Sequence, residues 1–190
     1  WTEVNGTCSS FDDVTVVFWE APSASVAGAN QALCNTSVFT LGATVPVVGA
    51  GQWSYVSGAA VTITNTNSAT TTVTGLTAGS SVTLRWTVSN GPVCAALTSD
   101  VTLTNDVLPV ADAGTGGNVC GIGVANSFVL SGSPTVGTGT WTKFSGPGAE
   151  TFTNANLSTS SVSVDAYGSY VFRWTEVNGT CSSFDDVTVV

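Results

Sequence analysis

The chain contains no histidine and no methionine, and only three of its 190 residues are Lys or Arg. Each absence excludes a chemistry. Without histidine, a Ser or Cys nucleophile lacks its usual base, and a zinc shell lacks its usual imidazole. Three cations cannot track a phosphate backbone, so nucleic acid is excluded as a partner. No apolar run approaches the ~20 residues that cross a bilayer as a helix, so membrane insertion is not expected. Long helical patterns are missing too. Charge itself is scarce, with 8% charged residues and a net charge of −9, where a small soluble domain usually carries about 25–35% on its surface. Ser and Thr, more than a quarter of the chain, have to cover much of the surface instead. Either hydroxyls and attached glycans keep the modules solvated, or faces are buried against neighbours.

What the chain does have is repetition. Residues 1–17 (WTEVNGTCSSFDDVTVV) return unchanged as residues 174–190, a period of 173 residues. Shared composition does not produce such identity. Starting on Trp1 in mid-segment, with no signal peptide, the chain reads as an internal stretch of a longer tandem array. A weaker repeat lies inside the first. Pro46, Gly49, Gly51, Trp53 and Gly58 recur 88 residues later as Pro134, Gly137, Gly139, Trp141 and Gly146. The same offset relates Arg85-Trp86-Thr87 to Arg173-Trp174-Thr175, and Asn90-Gly91 to Asn178-Gly179. Cys34 matches Cys120, and Cys94 matches Cys181. The expected organisation is therefore the C-terminal hairpin of a preceding module plus linker over 1–19, module one over 20–107, and module two over 108–190.

Period-two alternation marks these modules as all-β. It is clear in Val61-Thr62-Ile63-Thr64, Val82-Thr83-Leu84-Arg85-Trp86 and Tyr170-Val171-Phe172-Arg173-Trp174, with turn signals between. For module one the pattern predicts strands near 23–28, 37–45, 51–57, 60–65, 70–75, 81–89 and 97–104. Module two repeats them 86–88 residues on. A module of this length suits a small β-sandwich. The paired Trp53, Trp86, Trp141 and Trp174 are expected in the cores rather than as sugar-stacking platforms. Arg85 and Arg173 each precede a core Trp, so they face outward toward a cross-strand carboxylate.

Five cysteines in such a chain favour an oxidising, extracytoplasmic setting. Cys8 is the same site as Cys181. Two pairings are open for the rest. Spacing invites staples within modules, Cys34–Cys94 and Cys120–Cys181. Strand counting puts those partners at opposite poles, roughly 20 Å apart, whereas a disulfide needs Cα atoms within about 7 Å. In an end-to-end array, Cys34 instead reaches Cys181, Cys120 reaches the Cys94 site of the following unit, and Cys8 pairs outside the chain.

Other candidates are weaker. Calcium needs about six to eight oxygens and there is no DxDxD loop; the acids that could gather at a boundary are Asp106, Asp112, Asp185 and Asp186, with Glu20 and the pair Asp12-Asp13. No other cofactor is expected. No carboxylate pair is marked for glycoside hydrolysis, and no catalytic residue is named. Sequons occur at Asn5, Asn35, Asn156 and Asn178. The linkers carry Pro22 and Pro109 in place of flexible Gly/Ser runs. Phe18, Trp19, Val107 and Leu108 are expected to pack at the junctions, Trp19 as an interdomain wedge.

The linker Val110-Ala111-Asp112-Ala113-Gly114, then a Cys, Gly-Thr-Gly-Thr-Trp at 137–141, the run Tyr170 to Cys181, and Asp185-Asp186-Val187-Thr188-Val189 form a pattern across both modules. It resembles the Ig-like and PKD-like tandem repeats of giant Bacteroidetes cell-surface proteins, such as gliding-motility adhesins exported by the type IX system. The resemblance implies Ig-like β-sandwich modules in an extended array, on the cell surface or outside the cell, without enzymatic activity. The acidic signature of true PKD domains is missing, and no Asp is followed by Ser or Thr as in that phylum's O-glycosylation sites. Two function classes follow: a structural repeat of a filament or stalk whose partners are copies of itself, or an adhesive module binding glycans or surfaces. Exact repetition favours the first, because a spacer needs many copies.

Overall fold

The computed structural model describes all residues, 1–190. The chain opens on a hairpin, β1 (Thr2–Asn5) and β2 (Cys8–Phe11), whose strands pair only with each other. Trp1, Val4 and Phe11 on it are exposed. Its register, Thr2 opposite Phe11 and Asn5 opposite Cys8, recurs where Thr175 faces Phe184 and Asn178 faces Cys181. The hairpin thus has the shape of the last hairpin of the chain, without the sheet that the latter belongs to.

Two β-sandwiches follow. The first contains β3 (Gln31–Cys34), β4 (Val38–Gly42), β5 (Ala50–Gly58), β6 (Thr62–Ile63), β7 (Thr70–Thr74), β8 (Ser80–Ser89) and β9 (Leu97–Asp106). Its sheets run β3-β9-β8-β5 and β4-β7-β6. The second contains β10 (Phe128–Val129), β11 (Thr138–Ser145), β12 (Glu150–Phe152), β13 (Ser161–Val164), β14 (Tyr170–Asn178) and β15 (Cys181–Val189), in sheets β11-β14-β15 and β10-β13-β12. Strand for strand, β4–β9 correspond to β10–β15.

One strand expectation is corrected. Residues 23–28 join no ladder and make single backbone bonds, Thr44 N to Val26 O at 2.9 Å and Ser23 N to Val48 O at 3.1 Å. The first strand is instead Gln31–Cys34, which runs parallel to β9 with Gln31 opposite Leu103 and Cys34 opposite Asp106. Backbone groups alone make that pairing. Ala32 and Leu33 are both exposed, so no side-chain alternation announces the strand. Module two keeps only a trace of it, the parallel bridge of Gly117 to Val189.

Each sandwich is built around a tryptophan pair. Trp53 faces Trp86 across β5 and β8, and Trp141 faces Trp174 across β11 and β14. Ring centroids are 5.1 Å apart in both pairs, tilted by 47° and 46°, an edge-biased geometry that aromatic quadrupoles favour. The space comes from glycine. A Cβ on Gly51 would fall inside the Trp86 ring, and one on Gly139 inside the Trp174 ring. The spacing Gly-x-Trp therefore places the seat for one ring beside the other ring. Trp53 Nε1 donates to Ser68 O at 3.1 Å, and Trp141 Nε1 to Ser158 O at 3.0 Å.

The second ring of each pair is treated differently. Trp174 Nε1 donates to Glu176 Oε1 at 3.1 Å, and Thr135 donates to Oε2 through both N and Oγ1 at 3.1 Å. Glu176 is fully buried, and its three donors make that burial tolerable. Module one has Val88 at the matched position, and Trp86 Nε1 is buried without a partner.

Replacing Gly139 with Ala is expected to destabilise module two by about 2–3 kcal/mol, the usual range for overpacking a filled core. Module one should be unaffected. Denaturant titration with exchange measured separately in each module checks this, and an unchanged module two would mean that the Trp174 ring does not rest on Gly139.

Candidate functional site at the module junction

The parallel strand β3 fixes one half of the junction. It ends at Cys34 beside Asp106, the last residue of β9. Cys94 precedes the start of β9. Ten strand residues separate those two ends, about 30 Å at 3.3 Å per residue, so Cys34 and Cys94 sit at opposite poles of module one. The other half is the turn between β14 and β15, where Asn178 pairs with Cys181 around Gly179-Thr180. Cys34 and Cys181 are bonded, with Cα atoms 4.9 Å apart and a sequence separation of 147. Of the two open pairings, the structure contains the bond between modules. Cys8, Cys94 and Cys120 are free thiols.

Asp106 makes the junction more than a single covalent bond. Its Oδ2 accepts from Thr180 N at 2.6 Å and Thr180 Oγ1 at 2.8 Å. Its own carbonyl accepts from Asn35 N at 2.9 Å, and Cys181 Sγ lies 3.5 Å from the same oxygen. Asn178 Nδ2 donates to Val107 O at 2.9 Å. Gly179 turns with φ 56°, and a Cβ there would collide with the Asp106 carboxylate. The four residues Asn178 to Cys181 thus close on the end of β9 as a clasp. The bonds from Thr180 hold the Asp106 carboxyl below the ordinary carboxylate range, the backbone donor contributing most.

The opposite pole of module one repeats this geometry with different chemistry. Asn90 Nδ2 donates to Glu20 O at 2.8 Å, as Asn178 does to Val107 O. Cys94 Sγ lies 3.4 Å from Glu20 O and 3.8 Å from Trp19 O. Where Asp106 enters the turn at Gly179, Trp19 enters the turn at Gly91, and a Cβ on Gly91 would collide with its ring. One boundary is gripped by a carboxylate and the other by an indole.

The remaining site candidates are placed as follows. Phe18 is 93% exposed, and Trp19 and Leu108 remain about half exposed. Hydrogen bonds and the disulfide hold the junction after module one, where Leu108 is only partly covered, while the Trp19 ring lies against Gly91 at the opposite pole. The calcium candidates do not converge. Asp106 is taken by Thr180, and Asp186 is bidentate to Arg173 at 2.8 and 2.9 Å. Asp185 Oδ2 accepts from Ala113 N, and Asp112 Oδ1 from Gly114 N. No three acids, or acids with Cys, gather to hold a metal. Both arginines have cross-strand carboxylates, Arg85 with Asp100 at 2.7 Å and Arg173 with Asp186 at 2.8 Å. Arg173 also lies over the rings of Phe184 at 3.7 Å and Phe144 at 4.2 Å. Sequence reasoning missed the clasp. It treated Asn178-Gly179-Thr180 as a turn and a sequon, and the clue available was that a cysteine follows directly.

No family model and no curated protein matches the chain. Solved structures do. The chain is similar to extracellular domains 3–5 of Drosophila OTK, with a TM-score of 0.58 and 11% identity over 91% of this chain and 61% of that one. It is similar to immunoglobulin domains 1–5 of Sidekick-1, with a TM-score of 0.57 and 14% identity over 91% of this chain and 39% of that one. A titin I-band fragment gives a TM-score of 0.52 and 13% identity over 92% of this chain and 66% of that one. The chain spans under two thirds of each of these structures. At such identities the likeness establishes the fold, tandem immunoglobulin-like sandwiches.

The Asp106 clasp has a defined pH window. A carboxyl whose folded pKa is lowered contributes stability above its unfolded pKa and loses it as pH falls through the folded value. With the disulfide removed by Cys34→Ser, the clasp is expected to persist from neutral pH to about pH 4 and to open only below that. The Thr180 amide shift in NMR reports it. A transition near pH 5 or above, or the same profile in Asp106→Asn, would rule Asp106 out as the acceptor.

Proposed function

We propose that this chain is a non-enzymatic structural repeat of an extracellular or cell-surface filament or stalk, joined to copies of itself by a disulfide clasp at each module boundary. One observation carries the reading: the Cys34–Cys181 bond joins one module to the next instead of stapling a module internally. Two further features support it. Cys94 is a free thiol that lies against the Trp19 carbonyl much as Cys181 lies against that of Asp106, where the Cys120 site of a preceding unit would meet it. Residues 1–17 repeat 174–190 and form a hairpin of the same register, which a preceding module would complete. An unpaired hairpin edge is otherwise a hazard that proteins cover.

The setting follows from the same chemistry. Structural disulfides persist where the environment is oxidising, and the OTK segment of similar fold is extracellular by its own description. The serine- and threonine-rich surface suits a spacer that is exposed along its length. In such an array every module offers one cysteine at each pole, so each boundary carries one covalent staple in addition to the chain itself.

Non-reducing peptide mapping of the native protein tests this. The expected crosslinks are Cys34 to Cys181, and Cys94 to the Cys120 site of a neighbouring repeat. Peptides joining Cys34 to Cys94 would make the modules closed beads, and free thiols throughout would defeat both the clasped array and its extracellular setting.

A further inference from the structure

The two modules differ at one matched position near the end of the last strand. In β9 the inward residues are Val101, Leu103 and Asn105, all buried. Asn105 is 1% exposed and closes the pole of module one. Its Nδ2 donates to the carbonyls of Thr36 and Leu76, both at 2.8 Å, and its Oδ1 accepts from Thr36 N at 2.9 Å. In β15 the matching inward residues are Val187 and Val189, and Val189 pairs with Tyr170 as Leu103 pairs with Val82. Strand alternation puts the next inward side chain two residues beyond Val189, just past Val190.

At that place module two has a half-open, mostly hydrophobic pocket, with about 50 Å³ accessible to the centre of a water-sized sphere. Ile122, Phe128, Val164, Gly168, Tyr170 and Val189 are among the residues that line it. Ile122 and Val164 are the counterparts of Thr36 and Leu76, the two residues that hold Asn105. Those partners are backbone groups, and in module two the Val164 carbonyl already accepts from Gly123 N at 2.9 Å, while the side chains around the pocket are mostly hydrophobic.

The repeat names an occupant of that chemistry. Val17 and Val190 are the same residue of the repeat, and Val17 is followed by Phe18. Phe18 is also the most exposed large apolar residue of its own linker, at 93%. We propose that the pocket of module two is the seat of the phenylalanine that opens the next repeat, the counterpart of Phe18; this rests on the array reading above. The first residue after each 173-residue period is then the last core residue of the module before it. The assignment also accounts for its neighbour. Adjacent strand residues face opposite sides, so a buried Phe18 directs Trp19 outward to Gly91 of the following module. Asn105 and Asp106 stand in the same relation, one plugging its own module and the other gripping the next. Each boundary thus uses a two-residue plug and grip: Asn-Asp after module one, Phe-Trp after module two.

The test extends the 190-residue chain by the six residues that follow Val17, Phe-Trp-Glu-Ala-Pro-Ser, and compares it with the same extension carrying Ala in place of Phe. The Phe extension is expected to unfold module two about 5–10 °C higher than the Ala extension. Module one should not shift, and the ring should give NMR cross-peaks to Ile122, Val164 and Tyr170. Equal midpoints, or cross-peaks to module one instead, would overturn the assignment. The array reading is judged separately, by sequencing the native peptide that contains Val190. A continuation other than Phe-Trp defeats that reading and the native occupant with it, while the melting comparison still decides whether the pocket takes a phenyl ring.

Discussion

The parallel pairing of Gln31–Cys34 with the end of β9 is the constraint on which the junction depends. It holds Cys34 beside Asp106 at one pole of the sandwich, so a single turn from the next module meets a thiol and a carboxylate together. Without that strand, Cys34 would belong to a loop, and the disulfide would tether the modules without orienting them. With it, the bond, the two contacts of Thr180 and the Asn178 amide all act on one backbone segment. The grip is polar and covalent, which explains why Leu108 is left half exposed at a boundary.

The two sandwiches show how much chemistry can change on a constant frame. Both keep the facing tryptophans, the glycine seat and the outward arginine with its carboxylate. Around the second tryptophan they diverge: module two surrounds a buried Glu176 with three donors, while module one uses Val88 and leaves the Trp86 N–H without an acceptor. The poles diverge in the same way, with Asn105-Asp106 at one and Phe18-Trp19 at the other. The frame is set by strand parity and by ring packing. The polar decoration varies around that frame, to the point that module one leaves one buried donor without an acceptor.

Much of this was legible from the residues. Alternation in β8 and β14 located the core tryptophans, and one offset related the modules because the strands that carry those rings have kept their length. The arginine pairs followed from parity, since the neighbour of an inward Trp faces out. What stayed hidden lacked such a period. The strand of residues 31–34 is held by backbone bonds and shows no alternation. Asp106 is a single acid in a linker, so counting acids suggested a calcium ligand, and only the approach of Thr180 defines its role. Phe18 lies in the linker between the first hairpin and module one, and composition does not say where its ring packs. Its parity becomes readable once Val187 and Val189 are known to point inward.

The closed loop between Cys34 and Cys181 has a consequence for the durability of the chain. Any single peptide bond hydrolysed between those two residues leaves the molecule in one covalent piece, because the ends remain tied through sulfur. A protease that nicks the exposed linker at Val107 or Leu108 would open the backbone and still release nothing. Were the same bond made from Cys120 to the following unit, the second loop would begin before the first one ended. Every peptide bond along the thread would then lie inside at least one ring, and no single cut would part the thread unless the disulfides were reduced as well.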